Sequence, residues 1–204
     1  MFPGAKLALA PAPARSKRST TMLCKAERVI SDRISLNQSL GLFMSEADPR
    51  QTAAECFQKA YELQMSGEFQ QAIELYTRSL EAFPTAEAFT FRGWAYSFLG
   101  DYDRAIAECL EAIKVDPDFG NPYNDIGAYL IQQEKWDEAI PWFQKAMTAP
   151  RYEARCYPHF NLGRVYEHQR NWQKAKECYA QAYALDKRYI AALAGLRRLR
   201  AAWN

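Results

Sequence analysis

From residue 53 onward, apolar residues recur three and four positions apart with no sustained alternation, a pattern that predicts helices and no half-buried strands. The helical runs are short and come in pairs. Ala86 to Leu99 is one run, stopped by Gly100, and Tyr102 to Val115 is the next, stopped by Asp116 and Pro117. Upstream, Gly67 closes the equivalent first helix, Pro84 ends its partner, and Thr52 with Glu55 reads as a capping box at the start. Each pair is a helical hairpin.

The hairpins repeat. Ala72, Ala105, Ala139 and Ala175 are spaced by 33, 34 and 36 residues, and four further columns keep the same three spacings. These are Ala60, Gly93, Gly127 and Gly163; Ser79, Ala112, Ala146 and Ala182; Phe69, Tyr102, Trp136 and Trp172; and Tyr76, Cys109, Phe143 and Tyr179. The columns define four units, 53–85, 86–119, 120–155 and 156–188, and the two extra residues of the longest period fall in the Ala149 to Arg155 connection. A mid-helix glycine costs about 1 kcal/mol relative to alanine. Three glycines at one phase therefore predict that two helix backbones approach closely there, so that a side chain at Gly93, Gly127 or Gly163 would hold the hairpin open.

The third unit reads Tyr123-x-x-Ile126-Gly127-x-x-Leu130, then Ala139-x-x-x-Phe143, with Pro150 at its end. The fourth reads His159-x-x-Leu162-Gly163-x-x-Tyr166, then Ala175-x-x-x-Tyr179. Phe89, Gly93, Tyr96, Ala105, Cys109 and Pro117 carry the pattern in the second unit, with Arg92 at the aliphatic place. Ala60, Leu63, Gly67, Ala72, Tyr76 and Pro84 carry it in the first, where Cys56 and Lys59 depart from it. Over residues 53–186 the columns resemble the tetratricopeptide repeat. That resemblance implies an all-α, right-handed superhelical solenoid of four hairpins whose first helices line a concave groove. Carried onto this sequence, the groove positions are Phe57, Gln58, Tyr61 and Met65; Thr90, Phe91, Trp94 and Phe98; Asn121, Asn124, Asp125 and Ile131; and Tyr157, Phe160, Asn161, Arg164 and His168. Its N-terminal half is then aromatic and its C-terminal half polar. One subfamily clamps acidic chaperone tails with lysines, asparagines and an arginine. Here Phe57 and Tyr61 stand where the first lysine and asparagine of that clamp are expected, and Arg164 is the one firmly cationic groove residue.

A stack of hairpins needs its ends shielded from water. Residues 189–204 suit a C-terminal capping helix, with Ile190, Leu193, Leu196 and Leu199 on one stripe and Arg197, Arg198 and Arg200 mostly off it. Residues 26–51 regain apolar character after a basic start and predict an N-terminal amphipathic helix or cap, or an intramolecular ligand of the groove. Residues 1–25 are basic, free of acid and broken by three prolines, which predicts a disordered tail or an organelle-targeting segment.

Composition narrows the function. The 204 residues are 49% apolar, 25% charged and 14% aromatic, enough for a continuous core and unlike collagen, extended disorder or a disulfide scaffold. No stretch approaches the roughly 20 apolar residues of a membrane span. Five cysteines without a C-x-x-C pair predict free thiols and a cytoplasmic, reducing setting. The net charge of +2 divides into +4 over residues 1–52, −7 over 53–186 and +5 over 187–204. An acidic middle disfavours nucleic acid.

No catalytic constellation emerges. His159 and His168 are the only histidines, and Cys156-x-x-His159 lacks the second ligand pair of a structural zinc site. His159, Cys56 and Cys109 fall on core columns. The acids Asp101, Asp103, Asp137 and Glu138 stand at the starts of second helices, where they favour the helix dipole. The expectation is a non-catalytic adaptor, without cofactor or metal, that takes a peptide or helix of a protein partner in its groove as a monomer or weak homo-oligomer. Phe57, Tyr61, Phe91, Trp94, Phe98, Asn124, Tyr157, Phe160, Asn161 and Arg164 are the expected contacts. The alternatives are a self-assembly module stacking through its ends and a regulatory subunit of an enzyme complex.

Overall fold

The computed structural model describes residues 48–202. Among them are nine α-helices and no strand: α1 (Pro49–Met65), α2 (Phe69–Ala82), α3 (Ala86–Phe98), α4 (Tyr102–Val115), α5 (Asn121–Gln132), α6 (Trp136–Thr148), α7 (Cys156–His168), α8 (Trp172–Leu185) and α9 (Ile190–Ala202). None of these is long and apolar enough to cross a membrane. The proposed tail and most of the proposed N-terminal cap lie outside the described residues. Residues 48–51, read as part of that cap, belong instead to the first hairpin. Asp48 caps α1 by accepting from the Arg50 amide, and Pro49 takes the first helical position, where its missing N–H costs nothing. Thr52 therefore sits inside the helix, and the Thr52–Glu55 capping box does not form.

Helices α1 with α2, α3 with α4, α5 with α6 and α7 with α8 pack most closely, and each hairpin packs on the next. The small-residue columns explain how close. A Cβ on Gly127 would lie 2.6 Å from Phe143 Cε1, and one on Gly163 would lie 2.5 Å from Tyr179 Cε1, both well inside van der Waals contact. Phe143 and Tyr179 are fully buried and have nowhere to retreat. In the second hairpin the ring is replaced by Cys109, and Gly93 faces backbone instead: its Cβ would meet the Ala105 carbonyl oxygen at 3.0 Å. Ala60, Ala72, Ala105, Ala112, Ala139, Ala146, Ala175 and Ala182 are all fully buried, as the columns predict. Ser79, the polar member of its column, donates its hydroxyl to the Ala53 carbonyl at 2.8 Å.

A further column marks the turns. Gly67, Gly100, Glu134 and Arg170 share one place in the four hairpins, and all adopt positive φ, at 86°, 79°, 61° and 58°. After each, the next amide reaches back five residues, Glu68 to Leu63, Asp101 to Tyr96, Lys135 to Leu130 and Asn171 to Tyr166, closing the first helix with a Schellman-type bond. Asp101 and Asn171 then cap the second helices through the amides of Arg104 and Lys174. Asp103 and Asp137, expected to serve only the helix dipole, also accept from Gln133 (2.7 Å) and Gln169 (2.5 Å) of the following hairpin.

Polar ties also join neighbouring hairpins. Arg92, which replaces an aliphatic residue, forks onto Glu108 with two bonds of 2.9 Å, donates to Thr77 of the preceding hairpin and lies over the Phe89 ring. The 149–155 connection, where the extra residues were placed, folds back along residues 118–120. Gly120 donates to the Arg151 carbonyl, and the Arg151 amide donates to that of Asp118. The Arg151 side chain holds Glu87 and Asp116, and Tyr152 is buried where a side chain on Gly120 would overlap it.

Helix α9 caps the C-terminal end with Leu196 and Leu199 of the expected stripe, but with Ala192 and Gly195 in place of Ile190. Ile190 is 64% exposed, whereas Ala192, Gly195 and Leu199 are buried. Gly195 lets α9 close on the Cδ2–Cε2 edge of the Tyr179 ring, whose Cδ1–Cε1 edge already meets Gly163. Leu196 packs there too. Arg198, expected off the apolar stripe, grips Glu167 with two bonds of 2.8 and 2.7 Å, and the Tyr179 hydroxyl donates to the same carboxylate at 2.6 Å. The Arg198 guanidinium holds the Glu167 carboxyl below its ordinary value.

Two substitutions test this packing. Gly127→Ala gains about 1 kcal/mol of helix propensity but drives a methyl into an immobile ring, so urea unfolding should show a net loss of about 1–2 kcal/mol. Glu134→Gly and Arg170→Gly relieve left-handed backbone and should each stabilise by about 0.5–1 kcal/mol in the same measurement.

Candidate functional site

The first helices α1, α3, α5 and α7 touch one another in order and form an inner layer. Its N-terminal part carries a continuous run of rings. Phe57 meets Phe91 edge to face at 5.2 Å between centroids, Tyr61 meets Phe91 at 5.8 Å, Phe91 meets Trp94 at 5.7 Å, and Trp94 meets Phe98 at 5.6 Å. Phe57 and Phe91 are half-buried and form the floor, locked by Tyr76 behind them. Tyr61, Trp94 and Phe98 stand above it, 36%, 38% and 52% exposed. Phe98 has one face occupied, because it stacks on Phe69 at 4.6 Å and an interplanar angle of 8°. Its counterpart His168 stacks in the same way on Trp136, at 4.2 Å and 8°, and is spent as an edge contact rather than a groove residue.

Toward the C-terminal end the layer turns polar. Arg164 Nη1 donates to Asn161 Oδ1 at 3.4 Å, Asn161 Nδ2 to Asn124 Oδ1 at 3.2 Å, and Asn124 Nδ2 to Asp125 Oδ1 at 3.3 Å. Every carboxamide thus turns its carbonyl toward the cation and its NH2 toward the anion. The contacts are long for hydrogen bonds and form a loose ladder. Among the described residues neither Asp125 nor Arg164 makes an ion pair. Desolvation pushes the Asp125 carboxyl from its ordinary value of 3.8 up to about 7, and only the Asn124 amide opposes the rise.

Between the aromatic and polar parts lies a pocket of about 350 Å³, walled by Phe91 and Trp94 of α3, Asn124 and Asp125 of α5, Tyr157 of α7 and Tyr152 of the connection. The sequence placed Phe91, Trp94, Asn124 and Tyr157 on the inner face, and the structure brings them together. Asn161 and Arg164 join through the ladder. Phe160 lies half-buried against Tyr179 and Tyr189, and Tyr189 also meets the exposed Tyr157 at 5.1 Å, so the C-terminal half of the groove is partly aromatic. Two expected groove residues are core. Ile131 is 4% exposed, and Thr90 is 3% exposed with its hydroxyl donating to the Ala86 carbonyl. Tyr152 was missed, since it comes from a connection outside the repeat pattern.

A larger cavity, about 770 Å³, lies outside this layer and is bordered by Met147, His159, Tyr166 and Cys178. His159 is half-buried there, and burial lowers its pKa. Cys109 is sealed in the core, with its thiol pushed far above the ordinary value, and Cys178 is pushed up to about 11, so neither is a ready nucleophile. The four described cysteines are free thiols. Among the described residues no cluster of three or more His, Cys, Asp or Glu is arranged to hold a metal.

Comparison with known proteins agrees with this architecture. Two family models, both described as "Tetratricopeptide repeat", match residues 57–118 and 118–188. A "Small glutamine-rich tetratricopeptide repeat-containing protein 2" of Mycosarcoma maydis is 35% identical over 77 residues, 37% of this chain and 22% of that protein. A "Protein SGT1 homolog" of Oryza sativa subsp. japonica is 36% identical over 88 residues, 43% of this chain and 24% of that protein. The chain thus spans about a quarter of the length of these relatives. Among solved structures, PilF of Pseudomonas aeruginosa superposes with a TM-score of 0.69 at 20% identity, covering 74% of this chain and 68% of that one. YrrB, described as a TPR protein with an unusual peptide-binding site, gives 0.58 at 17% identity, covering 83% and 88%. At these identities the structures show the shared fold.

The raised Asp125 pKa has a measurable consequence. A carboxyl that holds its proton more tightly when folded adds most to stability below about pH 4, and that contribution fades as the pH climbs to about 7. Asp125→Asn should therefore raise the melting temperature at pH 8 and bring little or no gain at pH 4, as read by calorimetry.

Proposed function

The chain belongs to the tetratricopeptide repeat family, and from that membership we propose that it is a non-catalytic adaptor that holds an extended or amphipathic segment of a protein partner along its inner helix layer. One observation carries the reading: Tyr61, Trp94 and Phe98 stay substantially exposed side by side on a rigid aromatic floor. Rings that a fold needs for its own core are covered, and a row of uncovered rings on one face is an apolar surface awaiting a partner. Because Phe57, Tyr76 and Phe91 already fix one another, a binding segment would order few side chains, which keeps the entropic cost of association low. The amides of Asn124 and Asn161 offer hydrogen bonds to the partner's backbone beside the rings.

The clamp for acidic chaperone tails does not fit this groove, since Phe57 and Tyr61 occupy its first two polar places and are engaged with Phe91. Stacking of copies through the C-terminal end is also disfavoured, because α9 covers the side of Tyr179 that a stacked hairpin would need.

A partner captured by the full chain and then measured by titration calorimetry should lose about 1–4 kcal/mol of binding free energy to Trp94→Ala. Arg164→Ala, which removes a groove cation that makes no ion pair among the described residues, should weaken the same complex. Affinity unchanged by both substitutions would sink the groove reading.

A further inference from the structure

We propose that the pocket between α3, α5 and α7 receives one lysine or arginine side chain of the bound segment, with the Asp125 carboxylate as its counter-charge and Phe91, Trp94 and Tyr157 as its walls. The inference rests on the groove reading above and adds to it the chemistry of one anchor residue.

Three observations on different elements converge on a cation. The first is the uncompensated acid. Asp125 is enclosed by protein on most sides yet borders the pocket, and its single polar partner among the described residues is a neutral amide 3.3 Å away. A carboxylate so placed gains little from the protein itself, and a desolvated charge with no counter-ion is costly. The second is the walls. Phe91 and Trp94 meet at 5.7 Å in an edge-to-face arrangement, and Tyr157, 44% exposed, closes the far side from α7. Aromatic faces attract an ammonium or guanidinium while packing its alkyl stem, and they offer an acid or a neutral amide no comparable gain. The third is the ladder. Arg164, the nearest basic residue of the groove, reaches Asn161 and is held two carboxamides away from Asp125. The chain's own cation is thereby kept off the acid, and the pocket stays open at about 350 Å³, room for a long side chain.

The groups that face the carboxyl are the Cys109 thiol from α4, the Tyr129 hydroxyl from its own helix and the Tyr152 hydroxyl from the connection. All three stay neutral well above pH 8 because burial raises them further. Ionisation of Asp125 near pH 7 is therefore the event that a cation must draw, and binding should strengthen as the pH rises through that value.

The test uses the full chain and four capped peptides, Ser-Leu-Ala-X-Ala-Leu-Ser, in which X is lysine, arginine, norleucine or glutamate. Affinity is read by fluorescence anisotropy, and occupancy of the groove by the Trp94 indole N–H resonance. At pH 8 the lysine and arginine peptides should bind at least tenfold more tightly than the norleucine and glutamate peptides. That margin should shrink by up to about tenfold on lowering the pH to 6. Asp125→Asn, which preserves shape, should abolish the margin at both pH values while the Trp94 resonance still moves with the norleucine peptide. If lysine and norleucine bind equally while the Trp94 resonance moves, the cation pocket is overturned and the groove stands. A lysine preference that survives Asp125→Asn also overturns the pocket. A Trp94 resonance unmoved by all four peptides overturns the groove reading, and the pocket with it.

Discussion

The structure depends on one steric condition: within each hairpin a residue without bulk must sit opposite a residue that cannot move. Gly127 against Phe143 and Gly163 against Tyr179 leave less room than a methyl needs, and Gly93 meets a backbone carbonyl where Cys109 has removed the ring. Clearance at these points sets how near the two helices lie. In a stack where each unit touches only its neighbours, that spacing is handed on from unit to unit. Gly195 extends the rule past the last repeat, so that Tyr179 is held between glycines of α7 and α9 and the end of the stack is closed as its interior is.

Once the hairpins are set, the inner layer is free to vary. Yet the layer is not uniformly available. Phe57 and Phe91 are drawn into packing with Tyr76, Phe98 gives one face to Phe69, and Thr90 turns its hydroxyl onto its own helix. What stays exposed is the edge of the aromatic run and the pocket beside it.

That pocket owes its form to an irregularity. The 149–155 connection is longer than its counterparts and is tied back by Arg151 to Glu87 and Asp116, which carries Tyr152 into the side of the pocket. Loop length outside the repeat thus shapes the one part of the groove where unlike charges face each other without pairing. Asn124 and Asn161 stand between Asp125 and Arg164, and neither charge makes an ion pair among the described residues.

The hairpins, their period and their turns were legible in the sequence because they depend on residues a few places apart, repeated four times. Helix α4 runs from Tyr102 to Val115 as the pattern predicts, and α3 ends one residue short of it. The repeat resemblance, carried onto that period, placed Tyr61, Trp94, Asn124, Asn161 and Arg164 on the inner face. It misjudged the ends, where no repeat fixes the phase. Helix α1 begins at Pro49 under an Asp48 cap, and α9 buries Ala192, Gly195 and Leu199 rather than Ile190. It also could not separate exposed rings from packed ones, or find Tyr152. Those outcomes rest on contacts between residues roughly 30 or more apart, such as Phe57 with Phe91 and Trp136 with His168, and on Asp125 making no ion pair among the described residues. A sequence states which side chains share a helix face; which of them are covered is a property of the neighbours, and only the packed chain supplies those.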